Sequence, residues 1–110
     1  MRRTYDKLIR DRIPELMDAD GVRYQVDVLD DAAFRAALLE KLVEEAGEVR
    51  VAEGRSERVK ELADVLEVVE ALLEVEGVGW DEVRGVQEER RASRGGFQRR
   101  LRLRWTEKRH

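Results

Sequence analysis

The chain contains no cysteine, one proline, one histidine and only six aromatic residues. Without cysteine there is no disulfide framework, no thiolate nucleophile and no Cys-ligated zinc site. The histidine, His110, is the last residue, which removes a Ser-His-Asp triad and a His-rich metal site. With so few rings, the core must be aliphatic. Apolar runs are short and no leader-type segment opens the chain, so the expectation is a cytoplasmic protein without a membrane partner. There is no internal repeat, low-complexity stretch or Ser/Pro linker in the 110 residues, which reads as one domain, 1–110. Any chemistry must use carboxylates, Lys/Arg and backbone.

Charge is what the chain has in abundance: 43% of residues are Asp, Glu, Lys or Arg. Such a composition favours long solvated helices over a sheet-rich globule. The net charge of −3 hides an asymmetry. Residues 1–83 carry 12 basic against 22 acidic residues, whereas residues 84–110 carry 10 against 3. The basic end is compatible with a nucleic-acid-binding tail that acts by counterion release. It is equally compatible with one site in which acids hold a cation and bases hold a polyanion.

Residues 4–12 read as an irregular basic arm. Pro14 suits the first turn of a short helix near 14–20, ended by Gly21. Val22, Tyr24, Val26 and Val28 alternate with Arg23, Gln25 and Asp27, the period of a half-buried strand. Asp30 or Asp31 can cap a long helix near 31–53 that Gly54 stops. Ser56 can cap a second helix, near 57–76, stopped by Gly77. Asp81 can cap a third, near 81–93, terminated by Gly95-Gly96. Leu101, Leu103 and Trp105 alternate with Arg102, Arg104 and Thr106, so pairing of 22–29 with 100–106 into a two-stranded ribbon is the economical arrangement. Trp80, Trp105, Tyr5 and Phe97 read as packing residues. The fold class is therefore mainly α, with too little core in one chain, and a homodimer or dimer of dimers would complete the bundle.

On a helical wheel, Phe34, Leu38, Leu42 and Val49 form one apolar stripe, and Glu45 falls in its middle. Glu48 lies on its edge and Glu44 just beyond. On the next helix, Leu62, Leu66, Val69 and Leu73 define the expected stripe, with Val65 and Leu72 beside it. Glu61 lies near its margin and Asp64 further round, away from the solvated side of Lys60, Glu67, Glu70 and Glu74. Antiparallel packing lets the two acidic groups face each other, where carboxylates about 5 Å apart repel by roughly 3 kcal/mol. A hard divalent cation such as Mg²⁺ is the natural neutraliser. By composition alone, a chance placement of solvated acids accounts for the pattern equally well.

The spacing Glu44-Glu45-x-x-Glu48, twelve residues, then Glu61-x-x-Asp64 resembles the EExxE…ExxD signature of the all-α NTP pyrophosphatases of the MazG type. The opening Tyr5-Asp6-Lys7-Leu8-Ile9-Arg10-Asp11-Arg12-Ile13-Pro14 and the closing Arg94-Gly95-Gly96-Phe97 are similar to a compact, phosphoribosyl-ATP pyrophosphohydrolase-like branch. Arg90 stands where such sequences carry lysine, which keeps the charge and alters phosphate geometry. The resemblance implies a helical bundle completed by dimerisation and a house-cleaning hydrolase of non-standard or damaged nucleotides. Nucleoside triphosphates would be cleaved between the α- and β-phosphates, giving monophosphate and pyrophosphate. It also implies Mg²⁺, with Mn²⁺ as a substitute, held by Glu45, Glu48, Glu61 and Asp64. Glu44 would be a further ligand or, with Glu45 beside it, the catalytic group that orients and deprotonates water. Lys7, Arg10, Arg12, Arg90 and Arg94 would bind the substrate phosphates.

Two readings of other kinds compete. A nucleic-acid-binding helical module would use Arg84–Arg109, although the paired acids would repel a phosphate backbone. A metal-free dimerisation module would need no cation. Within the enzyme class, phosphoribosyl-ATP hydrolysis in histidine biosynthesis is the near alternative. Ser56, with no base beside it, is no nucleophile.

Overall fold

A computed structural model describes residues 1–109; His110 lies outside the described residues. The protein is mainly helical, with α1 (Ile13–Ala19), α2 (Asp31–Val51), α3 (Arg55–Glu76) and α4 (Trp80–Arg94). The chain divides into two compact units, Met1–Gly77 and Val78–His110, and each is described by itself. No helix among the described residues is long and apolar enough to cross a membrane.

In the first unit, α1 carries Pro14 in its first turn, where the missing N–H has no helical partner to lose. Gly21, at φ +71°, closes the helix. Its N–H reaches the Asp18 carbonyl, and the Val22 N–H reaches the Met17 carbonyl, the paired bonds of a Schellman ending. Helix α2 begins where Asp30 accepts the Ala33 N–H at 2.9 Å, which satisfies one orphan donor of the first turn.

Helices α2 and α3 pack against each other antiparallel. At one end Arg35 of α2 pairs with Glu76 of α3 at 2.6 Å. At the other, the Arg58 guanidinium donates to the carbonyls of Ala52 (2.6 Å) and Val49 (3.4 Å). A cation there both satisfies helix-end carbonyls and complements the negative end of the α2 dipole. The Glu53 N–H donates to Glu57 at 2.6 Å, pinning the short connection.

Four expectations need correction. The ribbon is absent: no strand occurs among the described residues, and 22–29 and 100–106 run without ladder partners. A period-two pattern makes a strand only when a hydrogen-bonding neighbour is presented to it. Ser56 is not a cap and Gly54 does not stop the preceding helix. Helix α2 ends at Val51 with Ala52 as its cap, and Gly54, at φ +84°, opens α3. Likewise Gly79 precedes α4, and Asp81 lies inside its first turn, a position the helix dipole favours for an acid. Finally, Leu62 and Leu66, expected inside, are 49% and 58% exposed. Helix α3 turns Glu61, Asp64, Val65, Val68 and Leu72 inward instead.

This core is small. Leu38, Ala52 and Val68 are its buried apolar residues, and no side chain among those described is fully enclosed.

In the second unit, Arg90 and Arg94 lie one turn apart on α4, both exposed, and Gly95 ends the helix at φ +83°. Arg84 lies over the Trp80 ring, 5.5 Å from its centroid. Phe97 and Trp105, read as packing residues, are 96% and 76% exposed, and Tyr5 of the first unit is likewise exposed. The Tyr5 ring is instead flanked by Arg3 and Lys7, at 5.4 and 5.8 Å.

Candidate metal centre

The facing surfaces of α2 and α3 bring three carboxylates together. Glu45 lies within the apolar stripe of α2 and is only 8% exposed. Glu61 and Asp64, three residues apart and therefore on one face of α3, meet it across the helix interface. One oxygen from each of Glu45, Glu61 and Asp64 lies within 4.8 Å of the other two. That is the spacing at which a single ion touches three carboxylates with oxygens 2.0–2.6 Å from it, the range for Mg²⁺ or Ca²⁺.

The two further acids are near without joining the trio. Glu48 is exposed, yet close enough for its charge to act on Glu61. Glu44 is also exposed and is held by two ammonium groups, Lys7 at 3.8 Å and Lys41 at 3.6 Å.

Crowding leaves an electrostatic mark. The Glu61 carboxyl is raised above its ordinary value, first by desolvation and then by the charges of Asp64, Glu45, Glu48 and Glu57. Loss of water and like charge both disfavour the carboxylate form. A cation at this point would reverse both effects.

Of the bases expected from the sequence, the arm delivers two. Arg10 donates to Asp64 at 2.7 Å, and Lys7 approaches Glu44. Arg12 turns instead to Glu15, 3.0 Å away at the start of α1. Arg90 and Arg94 belong to the other unit. A small cleft of about 90 Å³ between the arm and α2 is lined by Asp6, Lys7, Leu8, Ala37, Lys41 and Glu44, among others.

One residue escaped the sequence reading. Lys41, whose side chain is 17% exposed, approaches Glu45 at 3.4 Å as well as Glu44. Its signal was present: four residues before Glu45, it falls on the same helical face. A lysine inside an otherwise apolar stripe needs a partner.

Comparison with known proteins adds one relative. Over 49 residues the chain is 47% identical to a protein of Mycolicibacterium smegmatis described as uncharacterized. The match covers 44% of this chain and 50% of that protein, so the chain spans about half the length of its relative. No family model matches the chain, and no solved structure matches it.

Proposed function

We propose that the protein is a Mg²⁺-dependent nucleotide pyrophosphohydrolase acting on nucleoside triphosphates, with non-standard or damaged nucleotides as its substrate class. The observation that carries this reading is the convergence of Glu45, Glu61 and Asp64 within 4.8 Å on two antiparallel helices. Three hard oxygen donors fit a hard divalent cation, and they leave coordination positions for water and for phosphate oxygens. When bound, the ion would supply Lewis-acid chemistry, lowering the pKa of water and offsetting charge as the bond to pyrophosphate breaks.

The chain's own residues supply the rest. Glu45, Glu61 and Asp64 hold the ion, with Glu48 at the edge of the group. Glu44 orients the attacking water and takes its proton, a role suited to a carboxylate beside the cluster rather than inside it. Water adds to the α-phosphorus, the α–β anhydride bond breaks, and pyrophosphate leaves. Lys7 and Arg10, already drawn to the acids, exchange carboxylate partners for phosphate oxygens. Arg12 completes the basic set of this unit as the substrate binds.

The assembly belongs to the same proposal. Leu62 and Leu66 present a second apolar face of α3 that the α2 contact leaves free. A second copy packed there gives a homodimer and completes the helical bundle.

The decisive experiment is a panel of nucleoside triphosphates, including phosphoribosyl-ATP, with Mg²⁺ and with excess EDTA. Release of pyrophosphate and monophosphate from at least one member, abolished by EDTA, is the expected result. Release of single phosphates, or no metal-dependent turnover from any member, refutes the proposal. The competing nucleic-acid module would instead retain affinity for DNA or RNA in EDTA, with a steep salt dependence.

A further inference from the structure

The three carboxylates are not the whole charge balance at this interface. Lys7 and Arg10 reach it from the arm, and their side chains are about half exposed. Lys41 is different: it projects from α2 itself, its side chain is 17% exposed, and its ammonium lies 3.4 Å from Glu45 and 3.6 Å from Glu44. A cation so placed has two opposed effects. It compensates the acids when no metal is present, and it stands against any metal that would share the Glu45 carboxylate.

We propose that Lys41 is the resident counter-ion of the acidic cluster. It is a positioning residue that holds Glu44 and Glu45 in place and sets how tightly the divalent cation binds. This inference rests on the reading of Glu45, Glu61 and Asp64 as a cation site. Lys41 stands one turn before Glu45 on the same face of α2, so its charge is delivered from a fixed helical position. An arm residue can withdraw when the ion enters. Lys41 has less room to do so, and its repulsion persists in the loaded site. Its presence therefore keeps the metal exchangeable rather than permanent, and the metal-free fold intact.

The test is direct titration of Mn²⁺, followed by the electron paramagnetic resonance of the free ion, into the full chain and its Lys41→Met and Lys41→Gln variants. Removing one positive charge beside the site should tighten Mn²⁺ binding by about tenfold or more in both variants. The same variants should melt at lower temperature than wild type in EDTA and gain more than wild type on saturation with Mn²⁺. Unchanged or weaker Mn²⁺ affinity in the neutral variants overturns the assignment of Lys41 alone. If neither variant folds, even with Mn²⁺, Lys41 is purely structural and the inference is likewise overturned. Failure of the wild-type chain to bind Mn²⁺ is a separate outcome, and it removes the cation site together with everything built on it.

Discussion

Replacing Glu45 by glutamine isolates the central carboxylate with almost no change of shape. In the metal-free chain its charge meets two carboxylates and one ammonium. Glu61 and Asp64, each with an oxygen within 4.8 Å, each repel it by about 3.5 kcal/mol at an effective dielectric near 20. Lys41, at 3.4 Å, attracts it by about 5 kcal/mol on the same scale. Repulsion exceeds attraction by about 2 kcal/mol, so Glu45→Gln should leave the metal-free fold intact or stabilise it by up to about 1–2 kcal/mol. The response to metal should change completely. A cation at a hundred times its Kd stabilises the native state by about 2.7 kcal/mol, roughly 10–20 °C in a domain of this size. Thermal unfolding in EDTA and in saturating Mg²⁺ or Mn²⁺ reads both quantities. Wild type should show the shift and Glu45→Gln should lose it, along with turnover. Glu67→Gln and Glu70→Gln, both exposed on α3, should behave as wild type. A Glu45→Gln protein that keeps the full metal shift and full turnover would refute the argument, because the remaining acids would then suffice without the buried one.

Four further outcomes follow. Asp64→Asn should abolish metal-dependent hydrolysis while keeping the fold, as circular dichroism and the nucleotide assay would show. Because the Glu61 carboxyl is raised above 4.5, the metal-free fold gains stability from its protonation below that value. It should lose that stability as pH rises through the raised pKa, and the fall should be smaller in Glu61→Gln. Urea unfolding in EDTA from about pH 4 to about pH 7 measures this, and saturating Mg²⁺ should reverse the trend, since metal binds the deprotonated form. Leu66→Asp should convert a dimer to a monomer of 12.8 kDa by light scattering, while a monomeric wild type at micromolar concentration would remove the proposed interface. Asp30→Ala removes the acceptor of the Ala33 N–H and should destabilise the first unit by about 1 kcal/mol in urea unfolding.

Helix positions were legible because their signals are local. Pro14, Gly21, Asp30, Gly77 and Gly95 each act on the turn in which they stand, and each marks an end in the structure. The alternations at 22–28 and 101–105 were not enough, since a strand depends on a neighbour that no local pattern supplies. Ser56 shows a smaller failure of the same kind. A capping side chain was available, but Gly54 with its positive φ turned the chain two residues earlier, leaving Ser56 inside the helix.

The acidic cluster was only partly legible, because the sequence does not select which stripe of α3 is buried. Leu62, Val65, Leu66, Val68, Val69, Leu72 and Leu73 surround much of that helix, so hydrophobicity alone does not select the face that meets α2. The possible faces differ in what happens to Glu61 and Asp64. Burying Leu62 and Leu66 against α2 would leave the acids at the margin. The observed packing, through Val65, Val68 and Leu72, carries them to Glu45. Apolar burial does not explain that choice, since it exposes two leucines and gathers like charges. Arg10 on Asp64 and Lys41 on Glu45 reduce the repulsion, but they leave Glu61 without a cation among the described ion pairs, and desolvation and then the neighbouring acids raise its pKa. Of Glu45, Glu61 and Asp64, the described ion pairs therefore leave one carboxylate unbalanced. The packing also leaves Leu62 and Leu66 outside, and the proposed divalent cation and second copy are the two additions that would offset these.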